Sequence, residues 1–350
     1  AFGYLVSYRL QRNSTGNWGT LDQKLALRWV SEHIARFGGD PHRITIGGWS
    51  SGAAASSVLL TMEGELTPVR GAIMMSGGFT DWAAFTMKAA EANYDALLKA
   101  VGCEAGAGCR SPGPPCRCLL DVPAERLVEA GSGLGWAPIV DGVVMSVHPM
   151  EAVRAGKVRA VPIIIGSCLE DGLPALGSGA AAQDFERWME GAVPRASLGR
   201  GLELYMGPAT EPVIDAVHRG YSPAYWAMRR AAGDRGMACV ARRVARAWPR
   251  PAWQYIWEDR FPGEDTAGFG PGFAHESDQR FLFQTRMPKA WLPTARAVRG
   301  AFAAFIHGGE PSLDPHWPRG QGRGAIFGLG GPRAGEIRAD QCDFWDGLAP

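Results

Sequence analysis

The sequence predicts an α/β fold with a mostly parallel, doubly wound sheet, and three observations lead to it. Short apolar runs alternate with helical stretches along the chain, which is the order that parallel strands with crossover helices require. The run Val161–Gly166 is uniformly apolar, as expected for a parallel strand covered on both faces. The run Arg43–Gly47 leads into a glycine-flanked turn and then into a helix of small residues, Gly52–Met62.

The elements can be placed in order from these patterns. Leu21–Phe37 is an amphipathic helix with its apolar residues on one stripe, and Gly38-Gly39 ends it. The four expected strands are Arg43–Gly47, Gly71–Met75, Val161–Gly166 and Trp253–Glu258. Further helices are expected at Phe79–Val101 and in a helical insert at about 173–250. From about Pro262 onward glycine and proline are dense, which predicts loops and short helices.

Composition limits the classes of function. At 350 residues the chain is long for one domain but ordinary for an α/β enzyme with insertions, so a single domain over 1–350 is expected. Its 36 basic and 35 acidic residues give a net charge of +1, which argues against a nucleic-acid partner or an anionic membrane surface. The apolar runs are strand-sized and far short of a transmembrane span. The sequence does not fix an oligomeric state.

Four of the seven cysteines lie close together, at positions 103, 109, 116 and 118. Four thiols can bind zinc, but the spacing of five, six and one intervening residues lacks the paired hooks of a zinc ribbon. A surface loop closed by disulfides is therefore favoured over a metal site, and it indicates an oxidising, secretory compartment. The glycosylation sequon Asn13-Ser14-Thr15 agrees with that location.

Ser50 is the central residue of Gly48-Trp49-Ser50-Ser51-Gly52 and the strongest candidate for a nucleophile. A strand followed by Gly-x-Ser-x-Gly and a helix is typical of the nucleophile elbow of α/β-hydrolases, in which the turn exposes the serine hydroxyl. Small residues at Gly48 and Gly52 let the strand and the helix approach closely. In a chain with 47 glycines the pentapeptide alone is a weak signal. A serine without a catalytic role is therefore the alternative until a base and an acid are found.

The order of the remaining groups along the chain fits the same fold. In α/β-hydrolases the serine is followed by a carboxylate and then by a histidine, each on a loop after a strand. Glu170 and Asp171 follow the third expected strand, and His275 follows the fourth after a loop. His275 is then expected to take the proton of Ser50, while one of the two carboxylates orients the imidazole.

Several longer segments carry a family resemblance. They are Gly16–Val30, Phe37–Pro41, Pro138–Gly142, Ala274–Glu276, Phe305–Pro311 and Cys342–Trp345. Together with the elbow, they resemble the type-B carboxylesterase/lipase family, which includes the cholinesterases, over essentially the whole chain. The resemblance implies an α/β-hydrolase fold and the hydrolysis of small carboxylic esters through an acyl-enzyme, with no cofactor.

Carried over residue by residue, the resemblance makes Ser50 the nucleophile, His275 the base and Asp171 the acid. Asp171 matches the family's acid because it directly precedes a glycine. The family usually has glutamate at this position, but the shorter aspartate can serve in the same role. Glu170 is the fallback.

Both neighbours of the serine depart from the family. Ser51 replaces the usual alanine, and its backbone N–H would still be an oxyanion donor. Trp49 replaces the usual glutamate, and the loss of that anionic group argues against a choline ester. Trp49 is either a packed aromatic residue that covers the elbow or a wall of the substrate pocket.

The resemblance also implies an absence. Residue 1 falls where the family has already completed its first strands and a Gly-Gly oxyanion loop, and no His-Gly-Gly-Gly stretch occurs in the chain. The N-terminal strands of the sheet and two of three oxyanion donors would then be missing. The chain is therefore expected to be a fragment with little activity of its own, in which Arg43–Gly47 becomes an exposed edge strand.

Structural roles follow from the resemblance elsewhere in the chain. The family's loop disulfide would correspond to Cys103–Cys118, which leaves Cys109 and Cys116 to pair with each other. The positions that match structural aspartates of the family are Asp22, Asp40, Asp141 and Asp234.

The competing function belongs to another class: a non-catalytic, cholinesterase-like adhesion or scaffold domain. Members of that kind have typically lost the serine or another residue of the triad. Here all three positions hold competent residue types, which favours the esterase.

Overall fold

The structure, a computed structural model, describes residues 3–7, 16–104, 109, 116–173, 175–207, 220–258, 275, 277–284, 287–320, 322–328 and 330–348. Contacts within the chain group it into two compact units. The first unit comprises Ala1–Ile44, Ser57–Pro68 and Asp81–Arg159, and the second comprises Thr45–Ser56, Val69–Thr80 and Ala160–Pro350. The single domain expected over 1–350 stays a prediction, and the sequon at 13–15 lies outside the described residues.

A six-stranded sheet forms the framework of the second unit. The strands of the described residues are β1 Thr45–Trp49, β2 Gly71–Met75, β3 Phe85–Thr86, β4 Ile139–Val140, β5 Ile163–Cys168, β6 Ala252–Trp257, β7 Arg323–Phe327 and β8 Arg333–Glu336. The order in the sheet is β1-β2-β5-β6-β7-β8, and all neighbours are parallel except β7 and β8. Strands β3 and β4 pair with each other in the first unit. The predicted α/β class with a mostly parallel sheet is confirmed.

Helices connect the strands, as parallel pairing requires. They are α1 Trp18–His33, α2 Ser51–Thr61, α3 Met87–Val101, α4 Arg117–Asp121, α5 Ala124–Ala130, α6 Pro149–Arg154, α7 Ala182–Ala192, α8 Leu198–Met206, α9 Pro223–Gly233, α10 Cys239–Ala247, α11 Ser277–Phe283, α12 Leu292–Gly308 and α13 Ala339–Asp346. A π-helical turn, Asp234–Ala238, joins α9 to α10. In the part of the chain that the structure describes, no helix has the length and apolarity needed to cross a membrane.

The core of the sheet is dense in aromatic rings. Every residue of β2, β5 and β6 is buried, as expected of parallel strands covered on both faces. One core cluster joins rings of β6, β7 and α12, among them Trp253, Tyr255, Trp257, Phe302, Phe305 and Phe327. Trp253 and Phe305 meet edge to face with ring centres 5.8 Å apart, a geometry that stabilises beyond the burial itself. This packing fixes β5 and β6, whose carboxyl ends precede the predicted acid and base.

The strand predicted at Arg43–Gly47 begins and ends two residues later, as β1. The register with β2 runs to the pair Trp49 and Met75. The N–H of Ser50 then donates to the carbonyl of Met75 at 2.9 Å, so the ladder leads directly into the serine turn. Among the strands that the structure describes, β1 stands at one end of the order.

The prediction of loops and short helices beyond Pro262 holds for the short helices α11 and α13, but it missed a long helix and two strands. This region contains α12, a helix of 17 residues, as well as β7 and β8. Helix α12 buries Ala301, Phe302 and Phe305, which share one face at helical spacing. Its proline lies in the first turn, where the missing N–H costs nothing.

In the first unit, α1 and a 3₁₀ turn at Ile34–Phe37 replace the single helix predicted at Leu21–Phe37. The predicted apolar stripe is largely exposed within this unit. Leu25, Trp29 and Phe37 have exposed fractions of 62%, 50% and 72%, and the rings of Trp29 and Phe37 contact each other. The stripe therefore does not pack against the core of its own unit.

The helix predicted at Phe79–Val101 begins at Met87 in the structure. The side chain of Thr86 accepts a hydrogen bond from the N–H of Ala89 and caps the helix there. Such caps satisfy backbone donors that the first turn leaves unpaired. A capping threonine inside an apolar stretch therefore set the start of α3.

Six of the seven cysteines form disulfides. The pairs Cys103–Cys118 and Cys109–Cys116 agree with the pairing that the resemblance implied, so these four thiols close a loop and hold no metal. A third pair, Cys239–Cys342, joins α10 to α13 across 103 residues and was not predicted. No local pattern indicates this pair, because its two cysteines are so far apart in the chain. The seventh cysteine, Cys168, is a buried thiol.

Candidate active site

Ser50 occupies a sharp turn between β1 and α2. Its backbone has φ +53°, a left-handed conformation that is uncommon for residues other than glycine. A Cβ atom at Gly48 would lie 2.3 Å from the carbonyl carbon of Gly52, so only glycine fits at position 48. A Cβ at Gly52 itself would meet nothing within 4 Å. The predicted close approach of strand and helix is confirmed, and Gly48 is the residue that permits it.

Ser51 is the first residue of α2 and is exposed. The first four N–H groups of an α-helix have no acceptor within the helix. The N–H of Ser51 is therefore available to an external acceptor beside Ser50, and the positive end of the helix dipole favours an anion there. This is the geometry expected of the oxyanion donor.

Asp171 follows β5 and is completely buried. Its Oδ1 accepts a hydrogen bond of 2.5 Å from Nδ1 of His275, and its Oδ2 accepts one of 2.9 Å from the N–H of Cys168. Both carboxylate oxygens are thus engaged, which fixes the orientation of the side chain. The structure brings the predicted acid and the predicted base together.

The loop that carries Asp171 lies tightly against α9. A Cβ atom at Gly172 would come within 2.4 Å of the carbonyl oxygen of Arg229 and 2.6 Å of Cβ of Ala232. A Cβ atom at Gly233 would lie 3.0 Å from the N atom of Asp171. The two glycines therefore allow the acid loop and the helix to touch backbone to backbone.

Glu170, the fallback acid, is also completely buried but faces a different partner. Its Oε1 accepts hydrogen bonds from Nε and Nη2 of Arg230 at 3.1 and 2.8 Å. This is a fork-like ion pair of the kind that guanidinium groups form with carboxylates. The structure thus pairs Glu170 with α9 and Asp171 with the histidine.

His275 is nearly enclosed, with 4% of its surface exposed. Apart from Asp171, it contacts the ring of Trp49, whose centre lies 4.6 Å from that of the imidazole at an angle of 37°. Burial lowers the pKa of His275, but the hydrogen bond and charge of Asp171, together with the charge of Asp278, outweigh it. The net effect raises the pKa above its usual value. Residues 271–274 and 276, which flank it in the predicted Ala-His-Glu motif, lie outside the described residues.

A second buried carboxylate, Asp278, lies close to this pair, and the sequence reasoning missed it. Asp278 stands in the first turn of α11, and its Oδ2 accepts a hydrogen bond of 2.6 Å from the hydroxyl of Tyr255. Burial and the charge of Asp171 raise the pKa of Asp278 from 3.8 to about 6. The available signal was a second carboxylate three residues after the histidine.

Trp49 also lines an open groove of about 590 Å³ along the outer side of β1. The other apolar walls of this groove include Ile46, Phe283, Phe302 and Ile306. Trp49 thus contacts the imidazole and borders a space into which an apolar group fits. The expected pocket role of Trp49 remains a prediction.

The chain matches the model of the carboxylesterase family over residues 1–345. It is 33% identical to thyroglobulin of Mus musculus, in an alignment covering 98% of this chain and 14% of that protein. It is 31% identical to the cocaine esterase of Homo sapiens, over 59% of this chain and 38% of that protein. It is 26% identical to the acetylcholinesterase of Danio rerio, over 88% of this chain and 52% of that protein. The chain thus spans little more than half, or less, of the length of each of these relatives.

Proposed function

The chain belongs to the carboxylesterase family, and from that membership we propose that it hydrolyses carboxylic esters with Ser50, His275 and Asp171 as its catalytic triad. The observation that carries the proposal is the hydrogen bond between Asp171 and His275, formed across 104 residues of sequence. The imidazole also packs against Trp49, the residue that directly precedes Ser50. These two contacts support an arrangement in which the acid and the base lie beside the serine elbow.

In the first half of the reaction, the hydroxyl oxygen of Ser50 attacks the ester carbonyl. Nε2 of His275 takes the hydroxyl proton, and the resulting imidazolium returns that proton to the departing alcohol. The products of this half are an acyl-Ser50 ester and the free alcohol. In the second half, water attacks the acyl carbonyl and gives a proton to His275. The imidazolium returns this proton to Oγ of Ser50 as the acyl–oxygen bond breaks, and the carboxylic acid product leaves.

Asp171 supports both halves without changing its protonation. By accepting a hydrogen bond from Nδ1–H, it keeps Nε2 of His275 unprotonated and ready to act as a base. Its charge also stabilises the imidazolium, in agreement with the raised pKa of His275. Since only the neutral imidazole accepts a proton, activity should rise with pH through that raised pKa.

The N–H of Ser51 is the oxyanion donor that the elbow itself supplies. A tetrahedral intermediate on Ser50 would place its negative oxygen near the start of α2. Each donor of this kind is worth about 10² to 10³ in turnover.

The disulfides support a secretory location for this esterase. Three disulfides are present among the described residues, and such bonds persist in oxidising compartments. One similar protein, 30% identical over 49% of this chain, is named the secreted triacylglycerol lipase of Gibberella zeae. We expect the disulfides to form in the secretory pathway, and we expect the substrates to be small esters.

A second candidate function, a non-catalytic domain, is favoured by one observation. The similarity to mouse thyroglobulin, whose name is not that of an enzyme, extends over 98% of the chain. In such a domain the elbow would be an inherited structure without turnover. The two functions differ in whether the hydroxyl of Ser50 is nucleophilic.

A fluorophosphonate probe separates the two functions because it reacts with activated serines alone. We expect the probe to modify the Ser50 peptide of the folded chain, as detected by mass spectrometry. Ser51→Ala is the matched control, since it removes a neighbouring hydroxyl but keeps the backbone donor, and it should still be labelled. Ser50→Ala should not be labelled. An unlabelled wild-type chain with native circular dichroism would favour the non-catalytic domain.

A further inference from the structure

The imidazole of His275 is held from two directions. Asp171 bonds to its edge, through Nδ1, at 2.5 Å. Trp49 packs against its ring, with the centres 4.6 Å apart and the planes inclined by 37°. An edge contact alone leaves the imidazole free to rotate about the hydrogen bond, whereas a second contact on the ring restricts that rotation.

Trp49 is itself firmly placed. It is the last residue of β1, in register with Met75 of β2. Its side chain packs against the core cluster that contains Ile73, Met75 and Phe302. The indole is therefore a rigid surface supported by the sheet, and it can fix a neighbouring ring.

The indole also acts on the charge of the imidazole. The faces of aromatic rings carry negative potential, and tryptophan gives the strongest attraction for a cation within about 6 Å of its centre. An imidazolium forms at His275 each time it takes the proton of Ser50. The groups that act on its charge from other elements are Asp171 and Asp278, which favour the cation, and Arg229, which opposes it.

We propose that Trp49 is a positioning residue for His275, which orients the imidazole between Asp171 and Ser50 and stabilises the imidazolium through its ring. The role rests on the proposed esterase function, because an imidazolium arises in that reaction. It differs from the role of a pocket wall, which would act on the substrate and not on the base. A pocket wall changes KM, whereas a residue that acts on the base changes kcat and its dependence on pH.

The test is a graded series at position 49, with kcat and KM for p-nitrophenyl acetate measured between pH 5 and 9. Trp49→Phe keeps a weaker ring, and Trp49→Leu keeps an apolar side chain without a ring. The rise of kcat with pH as His275 loses its proton is the acidic limb of the activity profile. We expect the pKa of this acidic limb to fall in the order Trp, Phe, Leu, by about 0.4 to 1.5 in total. We also expect kcat of Trp49→Leu to fall about tenfold through lost orientation, with KM changed less than twofold.

Phe283→Leu is the matched control for the groove. Phe283 borders the same groove and is 72% exposed, so its replacement tests groove binding without touching the imidazole. We expect it to leave the pH profile unchanged. If Trp49→Leu raises KM while kcat and the acidic limb stay as in the wild type, Trp49 is a pocket wall and the inference is overturned.

The inference can fail separately from the proposed function. Nuclear magnetic resonance gives the pKa of His275 without turnover, with the signal assigned by its loss in His275→Gln. A lower pKa in folded Trp49→Leu than in the wild type supports the role of the ring, and an equal or higher pKa refutes it. Absence of fluorophosphonate labelling in the wild type would instead refute the esterase. Circular dichroism confirms that each variant is folded.

Discussion

Two adjacent carboxylates at the end of β5 have opposite environments. Glu170 and Asp171 are both completely buried, and each hydrogen-bonds to a basic side chain. Glu170 pairs with the guanidinium of Arg230, and Asp171 pairs with the imidazole of His275. A guanidinium stays protonated at every accessible pH, whereas an imidazole exchanges its proton near neutrality.

Burial and strand position do not by themselves decide the role of a carboxylate, because Glu170 and Asp171 share both. The same segment forms an ion pair with Arg230 of α9 and a hydrogen-bonded pair with His275, the proposed base. The ion pair of Glu170 holds the loop against α9, and this contact helps to fix the position of the neighbouring Asp171. The partner of each carboxylate therefore decides its role, and changes at each one should affect different measurements.

The largest effect is expected from neutralising one carboxylate at a time. Asp171→Asn should lower kcat by about 10³- to 10⁴-fold, because an amide no longer imposes the required tautomer on His275. Glu170→Gln should leave kcat within a fewfold of the wild type. It should instead lower the free energy of unfolding by about 2–3 kcal/mol, since a charged hydrogen bond is lost. Ester turnover and urea denaturation measure the two outcomes.

The opposite pattern would reverse the assignment. If Glu170→Gln abolished turnover while Asp171→Asn remained active, Glu170 would be the acid. If both variants lost activity and stability alike, the two carboxylates would act as one network. Either result would remove the distinction between a structural ion pair at Glu170 and an orienting carboxylate at Asp171.

A smaller effect is expected from moving the loop without changing its charge. Gly172→Ala would place a methyl group 2.4 Å from the carbonyl oxygen of Arg229, so the loop must shift. A displacement of about 1 Å at a catalytic group can cost about 10²-fold, and we expect kcat to fall by about 10- to 100-fold. Gly177→Ala is the control, because a Cβ atom there meets nothing within 4 Å. Equal effects of the two variants would show that the contact with α9 does not position Asp171.

Much of the site was predictable because each of its members stands beside a local signal. Ser50 lies in a glycine-flanked turn, Asp171 precedes a glycine after an apolar strand, and His275 follows the last expected strand. The partners that complete the site carry no such signal. Arg230 bonds to Glu170 across 60 residues, and such a pairing depends on how α9 packs against the loop.

In the fold, too, a strand with a clear pattern in its own sequence was predicted, whereas a strand that depends on its neighbour was not. β2 was predicted residue for residue, because its apolar run is bounded on both sides by polar or turn residues. β8 was missed because its residues are mostly exposed and lack an apolar pattern. It forms by antiparallel pairing with β7, so its strand character comes from a neighbour and not from its own composition.

The last prediction concerns the third carboxylate, Asp278, which differs from the other two in its pKa. Its pKa is raised from 3.8 to about 6, first by burial and then by the charge of Asp171. The folded protein holds this proton more tightly than the unfolded chain does. Ionisation of Asp278 therefore lowers the free energy of unfolding as pH rises from about 4 to 6, and this loss is complete above that range. Asp278→Asn removes this loss. Relative to the wild type, it should gain up to about 2–3 kcal/mol of unfolding free energy between pH 4 and pH 8.

The same substitution should act on the base, since the charge of Asp278 raises the pKa of His275. The acidic limb of the activity profile should therefore move to lower pH in Asp278→Asn. Tyr255→Phe is the complementary control. In the wild type the hydrogen bond from Tyr255 lowers the pKa of Asp278, so the loss of this bond in the variant should raise that pKa further. A stability difference that is equal at pH 4 and pH 8 would show that Asp278 does not titrate in this range. If the acidic limb did not move, the charge of Asp278 would have no effect on the Asp171–His275 pair.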